Sequence, residues 1–114
     1  MDISGRNKCG YHVIDVVGKV DRLKDSMALK TYVGDFVEKG GVRVAMNMAS
    51  VNYLDSGALN VLIYCQTILE KKGSKLIIIQ PNEYVSDVLQ VVGIDKLITI
   101  YNTEGEFENE VRKP

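Results

Sequence analysis

VNYLDSGALNVLIYC, from Val51 to Cys65, is where one structural period gives way to another. The residues before it, VRVAMNM (Val42 to Met48), form an apolar run of strand character. A polar loop from Met48 to Asp55 follows. Then Ala58, Val61, Leu62, Cys65, Ile68 and Leu69 recur at helical spacing. The spacing predicts a helix from Ser56 or Gly57 to Lys72, stopped by Gly73, with two lysines at the negative end of its dipole. Strand, loop and helix in that order put Asp55, Ser56 and Gly57 where the chain leaves a sheet and a helix begins. A helix start carries unpaired N–H groups and a partial positive charge, and so accommodates a phosphate. A surface hydroxyl at such a place is a candidate switch.

The pattern outside this stretch is regular. YHVIDVVGKV (Tyr11 to Val20) is β-rich, and Ile3 to Lys8 pairs beside it as an edge strand, with Cys9-Gly10 as the turn. Gly18 and Asp21 end the strand, and Asp21 reads as an N-cap or loop residue. Arg22 to Lys39 turns helical, with Leu29, Val33, Phe36 and Val37 on one face and Gly40-Gly41 as the stop. KLIIIQ (Lys75 to Gln80) is a continuous apolar run, as expected of a strand buried on both faces. Glu83 to Val92 is a shorter helix with Val85, Val88, Leu89 and Val92 inward, and Leu97 to Tyr101 is the last strand. Thr103 to Pro114 reads as either a short polar helix or a frayed tail. The expected fold is therefore α/β: a mixed, mostly parallel sheet of four to five strands in the order β-β-α-β-α-β-α-β. Such sheets carry their functional loops at the carboxyl ends of the strands, which places Ser56 on that edge.

These residues also resemble a known family. Asp55-Ser56 between a strand and a helix is similar to the signature of STAS domains, above all of bacterial anti-sigma factor antagonists. GKVD (Gly18 to Asp21) resembles the family's Gly-x-x-Asp, and GSKLIIIQPNEYVSDVLQVVGIDKLITIY (Gly73 to Tyr101) resembles its later strand, helix and strand. Nearly all of residues 1–114 is covered, as one STAS domain. Two positions depart from the pattern: Gly57 stands where a serine or threonine is usual, and Ala58 where glycine is usual. The resemblance implies a protein that binds an anti-sigma factor, itself a serine kinase, while unmodified. Phosphorylation of Ser56 by that kinase would end the complex, and a separate protein phosphatase would reset it. ATP and the transfer machinery would belong to the kinase, so this chain is expected to be no enzyme and to need no cofactor. Within the same family, an interaction or scaffold module, or a transport-system subunit, is the alternative.

Two readings of Ser56 stand side by side. As a helix N-cap its hydroxyl satisfies one orphan N–H, for roughly 1 kcal/mol, and Asp55 could do the same. As an acceptor it would gain about −1.5 to −2 charges and three acceptor oxygens. Candidate partner-binding residues are Asp21, Asn52, Tyr53, Asp55, Ser56 and Gly57; loop capping (Asp21) and core-edge packing (Tyr53) are the structural alternatives. His12 alternates with Ile14 and Val16 along a strand, which fits a structural role better than a base for Ser56, and no GxSxG elbow is present. No GxxxxGK[ST] or GxGxxG motif supports a nucleotide site.

A net charge of −1 and the absence of any basic run argue against a nucleic-acid partner. The longest apolar runs are too short and too often interrupted by charge for a membrane span, and the N-terminal MDISGRNKCG lacks the apolar stretch of a signal peptide. A cytoplasmic protein, monomeric or weakly dimeric, is expected. Cys9 and Cys65 have no CxxC spacing and read as two free thiols without a metal.

Overall fold

The computed structural model describes residues 1–113. Its elements are β1 (Asp2–Lys8), β2 (Tyr11–Val20), α1 (Leu23–Glu38), β3 (Val44–Leu54), α2 (Ser56–Glu70), β4 (Leu76–Ile79), α3 (Glu83–Val91), a 3-10 turn (Ile94–Lys96), β5 (Thr99–Tyr101) and α4 (Glu104–Val111). The five strands lie in the order β1-β2-β3-β4-β5, with β1 antiparallel to β2 and the others parallel. The first connection is a two-residue hairpin. Cys9 at φ 53° and Gly10 at φ 81° both take the left-handed conformation that a tight turn between twisted strands requires.

Sequential strand order follows from right-handed crossovers that each return to the neighbouring strand, so the crossing helices share one face. On that face Leu29 and Val33 of α1, Leu62 and Cys65 of α2, and Val85 and Leu89 of α3 pack with Ile14, Met46 and Ile78 into the main core. The other face is covered by α4. Its Phe107 is fully buried against Val13, Ala45, Ile77 and Ile79, with Tyr11 and Tyr101 beside it. β4 therefore sends Leu76 and Ile78 to one layer and Ile77 and Ile79 to the other, which explains its unbroken apolar run. The 104–111 segment thus resolves to a helix held by one aromatic anchor; Pro114 lies outside the described residues.

Charges fasten the same helix. Arg6 of β1 pairs with Asp15 of β2 (Nε to Oδ2 2.7 Å) and with Glu104. Lys8 reaches Glu104 at 3.0 Å and Glu108 at 2.9 Å, and Asn47 of β3 donates to Glu104 at 2.8 Å. The Arg6 guanidinium, aided by Lys8 and Asn47, holds the Glu104 carboxyl down to about 2 against the opposing effect of burial.

Several boundaries differ from the sequence reading. β3 does not stop at Met48; it continues to Leu54, so the polar loop is mostly strand. Two register shifts against β2, between Asp15/Val17 and between Gly18/Lys19, each place an extra residue in β3. They break the alternation that would have marked these residues as strand. Gly18, at φ 97°, sits inside β2 rather than ending it. Val92 is half exposed and Leu97 more so, because the chain leaves α3 through Gly93 (φ 81°) into the 3-10 turn. α2 also buries Gln66, which the apolar pattern omits. Its Oε1 accepts from the Leu76 N–H at 2.8 Å and its Nε2 donates to Glu70, tying α2 to the start of β4.

Candidate interaction site at the carboxyl edge of the sheet

β2 and β3 finish together, with Val20 opposite Leu54 in the register. The Asp55 N–H donates to the Val20 carbonyl at 3.1 Å, so the turn out of β3 is pinned to the end of β2. Asp55 has extended backbone (φ −87°, ψ 180°), and its Oδ1 accepts from the Ala58 N–H at 2.8 Å. Asp55 is thus the N-cap of α2, and the Leu59 N–H closes the first helical turn on its carbonyl at 3.2 Å. Ser56 is the first helical residue and is exposed. The cap role open to either residue belongs to Asp55, and the Ser56 hydroxyl is not needed for it.

Gly57 and Ala58 acquire physical reasons. A Cβ on Gly57 would stand 3.3 Å from Asp55 Oδ1 and 3.6 Å from Ser26 Oγ, so a side chain here would press on the capping carboxylate. Ser26, buried in the first turn of α1, donates its hydroxyl to the Leu23 carbonyl at 3.1 Å. The starts of α1 and α2 therefore meet at Gly57. Ala58 points inward and is almost wholly buried, where its methyl joins the main core.

Asp21 follows Val20 directly and is exposed, so it leaves one strand end beside the strand end that carries Asp55. It does not cap α1: the N-cap is Arg22, which makes no side-chain capping bond. An open polar hollow of about 460 Å³ lies here, lined by Met1, Lys19, Asp21, Arg22, Lys24 and Asp25. Asn52 and Tyr53 are both exposed although adjacent in a strand, a consequence of the second bulge. The structure thus brings Asp21, Asp55, Ser56 and Gly57 to one edge, with Asn52 and Tyr53 on the strand leading to it. It adds two residues. Tyr84 of α3 stacks on Tyr53 with ring centroids 6.4 Å apart, and Asn82, the N-cap of α3, reaches back to the β3 backbone. The sequence reading singled out neither residue: Asn82 is a favoured N-cap type ahead of the Glu83 helix, but nothing in the pattern gave its long-range contact.

His12 lies at the other end of the sheet, opposite Val44, roughly 30 Å of strand away from Ser56. Its Nε2 shares a hydrogen bond of 2.7 Å with the Tyr32 hydroxyl, and its ring stacks on Phe36 at 4.7 Å. A Cβ on Gly5 would collide with both His12 and Tyr32, so a larger residue at that strand position would displace this pair. No Ser-His arrangement exists between these residues. Among the described residues no three His, Cys, Asp or Glu side chains group as a metal site, and no helix is long and apolar enough to cross a membrane. Cys65 is sealed in the core, and burial pushes its thiol up to about 12, an effect Lys30 offsets in part.

Comparison with known proteins agrees with this architecture. A Thermotoga maritima protein named as a candidate anti-sigma factor antagonist is 28% identical over 109 residues, covering 90% of this chain and 96% of that one. The crystal structure of a T. maritima protein of the same description superposes with a TM-score of 0.85 at 23% identity, covering 97% of this chain and 95% of the other. SpoIIAA, described as an anti-sigma factor antagonist, matches in its unphosphorylated form with a TM-score of 0.78 at 16% identity, over 99% of this chain and 100% of that one. The phosphorylated form of SpoIIAA, from Bacillus, matches with a TM-score of 0.75 at 18% identity, over 97% and 100%. The family model of the STAS domain matches residues 10–107, all of β2 through the middle of α4, and the chain belongs to the STAS domain family.

Proposed function

We propose that this protein is an anti-sigma factor antagonist whose partner is an anti-sigma factor with serine-kinase activity, and that phosphorylation of Ser56 switches it off. The observation that carries the reading is the division of labour at the start of α2. Asp55 satisfies the capping requirement, and the exposed Ser56 hydroxyl is left to be modified. The names of its relatives support the antagonist role, which is one of binding rather than catalysis.

The electrostatics differ between fold and interface. Within the domain, a phosphate on Ser56 would meet the positive end of α2, where the first amides of the helix have no intrahelical partners. The fold is therefore expected to keep its shape, in line with the likeness of this chain to both forms of SpoIIAA. At an interface over Asp21, Asn52, Tyr53, Asp55, Ser56 and Gly57, the same dianion would sit beside the Asp55 carboxylate and have to be desolvated by whatever had docked on the bare serine. Binding is lost without unfolding. The kinase brings ATP and the transfer machinery, and a separate phosphatase removes the phosphate; the cycle belongs in the cytoplasm with the sigma factor.

Incubation with the cognate kinase and ATP tests this by intact-mass analysis. The expected result is a gain of one phosphate that is absent in Ser56→Ala, together with loss of kinase binding in Ser56→Asp. A Ser56→Asp protein that binds as tightly as wild type would show the electrostatic account to be wrong. An unmodified wild-type chain would favour a constitutive scaffold module.

A further inference from the structure

β4 pairs with β3 only over Val44–Asn47, yet β3 runs on to Leu54. On that side the second half of β3 has no neighbouring strand, and its backbone groups need other partners. Side chains supply them. Asn82 Nδ2 donates to the Ala49 carbonyl at 3.1 Å and to the Val51 carbonyl at 2.5 Å. The Leu54 N–H donates to the Tyr84 hydroxyl at 3.2 Å. Asn82 also accepts from the Val85 N–H at 2.9 Å through Oδ1, so one amide caps α3 and binds the strand edge. The Leu54 contact is next to Asp55, the cap of α2, and two residues from Ser56.

We propose that Asn82 and Tyr84 are positioning residues for Ser56, a side-chain clamp that replaces the missing strand and fixes the end of β3 in one presentation. Its geometry is independent of the phosphorylation reading; its consequence for recognition rests on that reading. Without the clamp, the core packing of Val51 and Leu54 remains, but the backbone at the end of β3 is hydrogen-bonded only on the β2 side, through the Val20–Leu54 register and the Asp55–Val20 bond. A partner would then bind only the fraction of molecules in the competent arrangement, and its apparent affinity would fall by that fraction.

Two substitutions in the full chain separate clamp from scaffold. Tyr84→Phe keeps the ring against Tyr53 and removes the acceptor. Asn82→Asp keeps the capping oxygen and replaces the donor with an acceptor facing two carbonyls. Amide exchange by NMR is expected to quicken five- to tenfold at Leu54 in Tyr84→Phe, and the Leu54–Gly57 resonances are expected to broaden in Asn82→Asp. The Ile77 and Ile78 amides, which a global loss of stability would also expose, stay at wild-type rates. With the serine kinase of the mass experiment, the KM for either variant rises about five- to tenfold while kcat stays within twofold. Unchanged Leu54 exchange and unbroadened Leu54–Gly57 resonances in the two variants would overturn the clamp. A wild-type protein that no kinase modifies would instead overturn the phosphorylation reading, and the exchange data would still decide the clamp.

Discussion

Replacing Asp55 with alanine removes the acceptor of the Ala58 N–H and the negative charge at the positive end of α2. Loss of an N-cap costs about 1 kcal/mol, and loss of the charge–dipole attraction about 0.5 kcal/mol more. The expected destabilisation is therefore roughly 1.5 kcal/mol, or about 7 °C in Tm for a domain of this size. Asp55→Asn keeps the oxygen and gives up only the charge, so it should cost about 0.5 kcal/mol. Ser56→Ala removes an exposed hydroxyl that is not the cap and should lie within about 0.5 kcal/mol of wild type.

Urea unfolding followed by far-UV circular dichroism measures all three. The midpoint should fall in the order Asp55→Ala, Asp55→Asn, Ser56→Ala, with the slope unchanged. Equal losses for Ser56→Ala and Asp55→Ala would refute the reasoning. The serine hydroxyl would then be a structural cap, and phosphorylation would remove a fold contact instead of acting at an interface alone.

Three further outcomes follow from the packing. Phe107→Ala empties the centre of the smaller core layer and should cost about 3–5 kcal/mol in denaturant unfolding; a loss under about 1 kcal/mol would mean that α4 is not anchored there. Glu104 is held down to about 2 in the folded protein against an ordinary 4.5. Its contribution is thus present above about pH 4.5 and is lost as pH falls toward 2, on the order of 1–2 kcal/mol after solvent screening. Glu104→Gln should flatten that part of the stability–pH curve, and an unchanged acid limb would sink the assignment. Cys65, buried with its thiol raised to about 12, should resist a disulfide reagent in the native protein while the half-buried Cys9 reacts, and both should react after unfolding; simultaneous modification in the native protein would contradict the burial.

Much of this fold is written in local patterns. The helical spacing in α1 and α2, the Cys9-Gly10 turn and the apolar run of β4 each arise from interactions among near neighbours, which periodicity records. The contacts that escaped are those whose partners lie far apart in the chain. Arg6 and Glu104 are 98 residues apart, and the acidic run around Phe107 hides a core residue behind four glutamates. The extension of β3 was hidden for another reason. Two bulges shift the side-chain alternation, so Ser50, Asn52 and Tyr53 look like loop although they continue the strand. For the candidate site, Asp55 and Ser56 were legible because strand end and helix start adjoin in sequence. Their separate roles were not, since both residues are good caps and only coordinates show which oxygen meets the Ala58 amide.

That division constrains how any signal at Ser56 can be read. A phosphoryl group on a capping hydroxyl would disturb the first turn of α2, and through Ala58 and Leu62 the main core. With Asp55 as the cap, the Ser56 hydroxyl lies outside the hydrogen bonds that hold the helix start, while the bond from Asp55 to the end of β2 keeps the turn in place. A charge added there would be favoured by the helix amides and opposed by the Asp55 carboxylate. These offset each other inside the domain. Only a docked surface, which excludes water and supplies no compensating cation, turns the same charge into a large penalty. A cation placed by a partner opposite Ser56 would reverse the sign, so in the proposed complex the residues facing this serine would decide whether a phosphate released or recruited that partner.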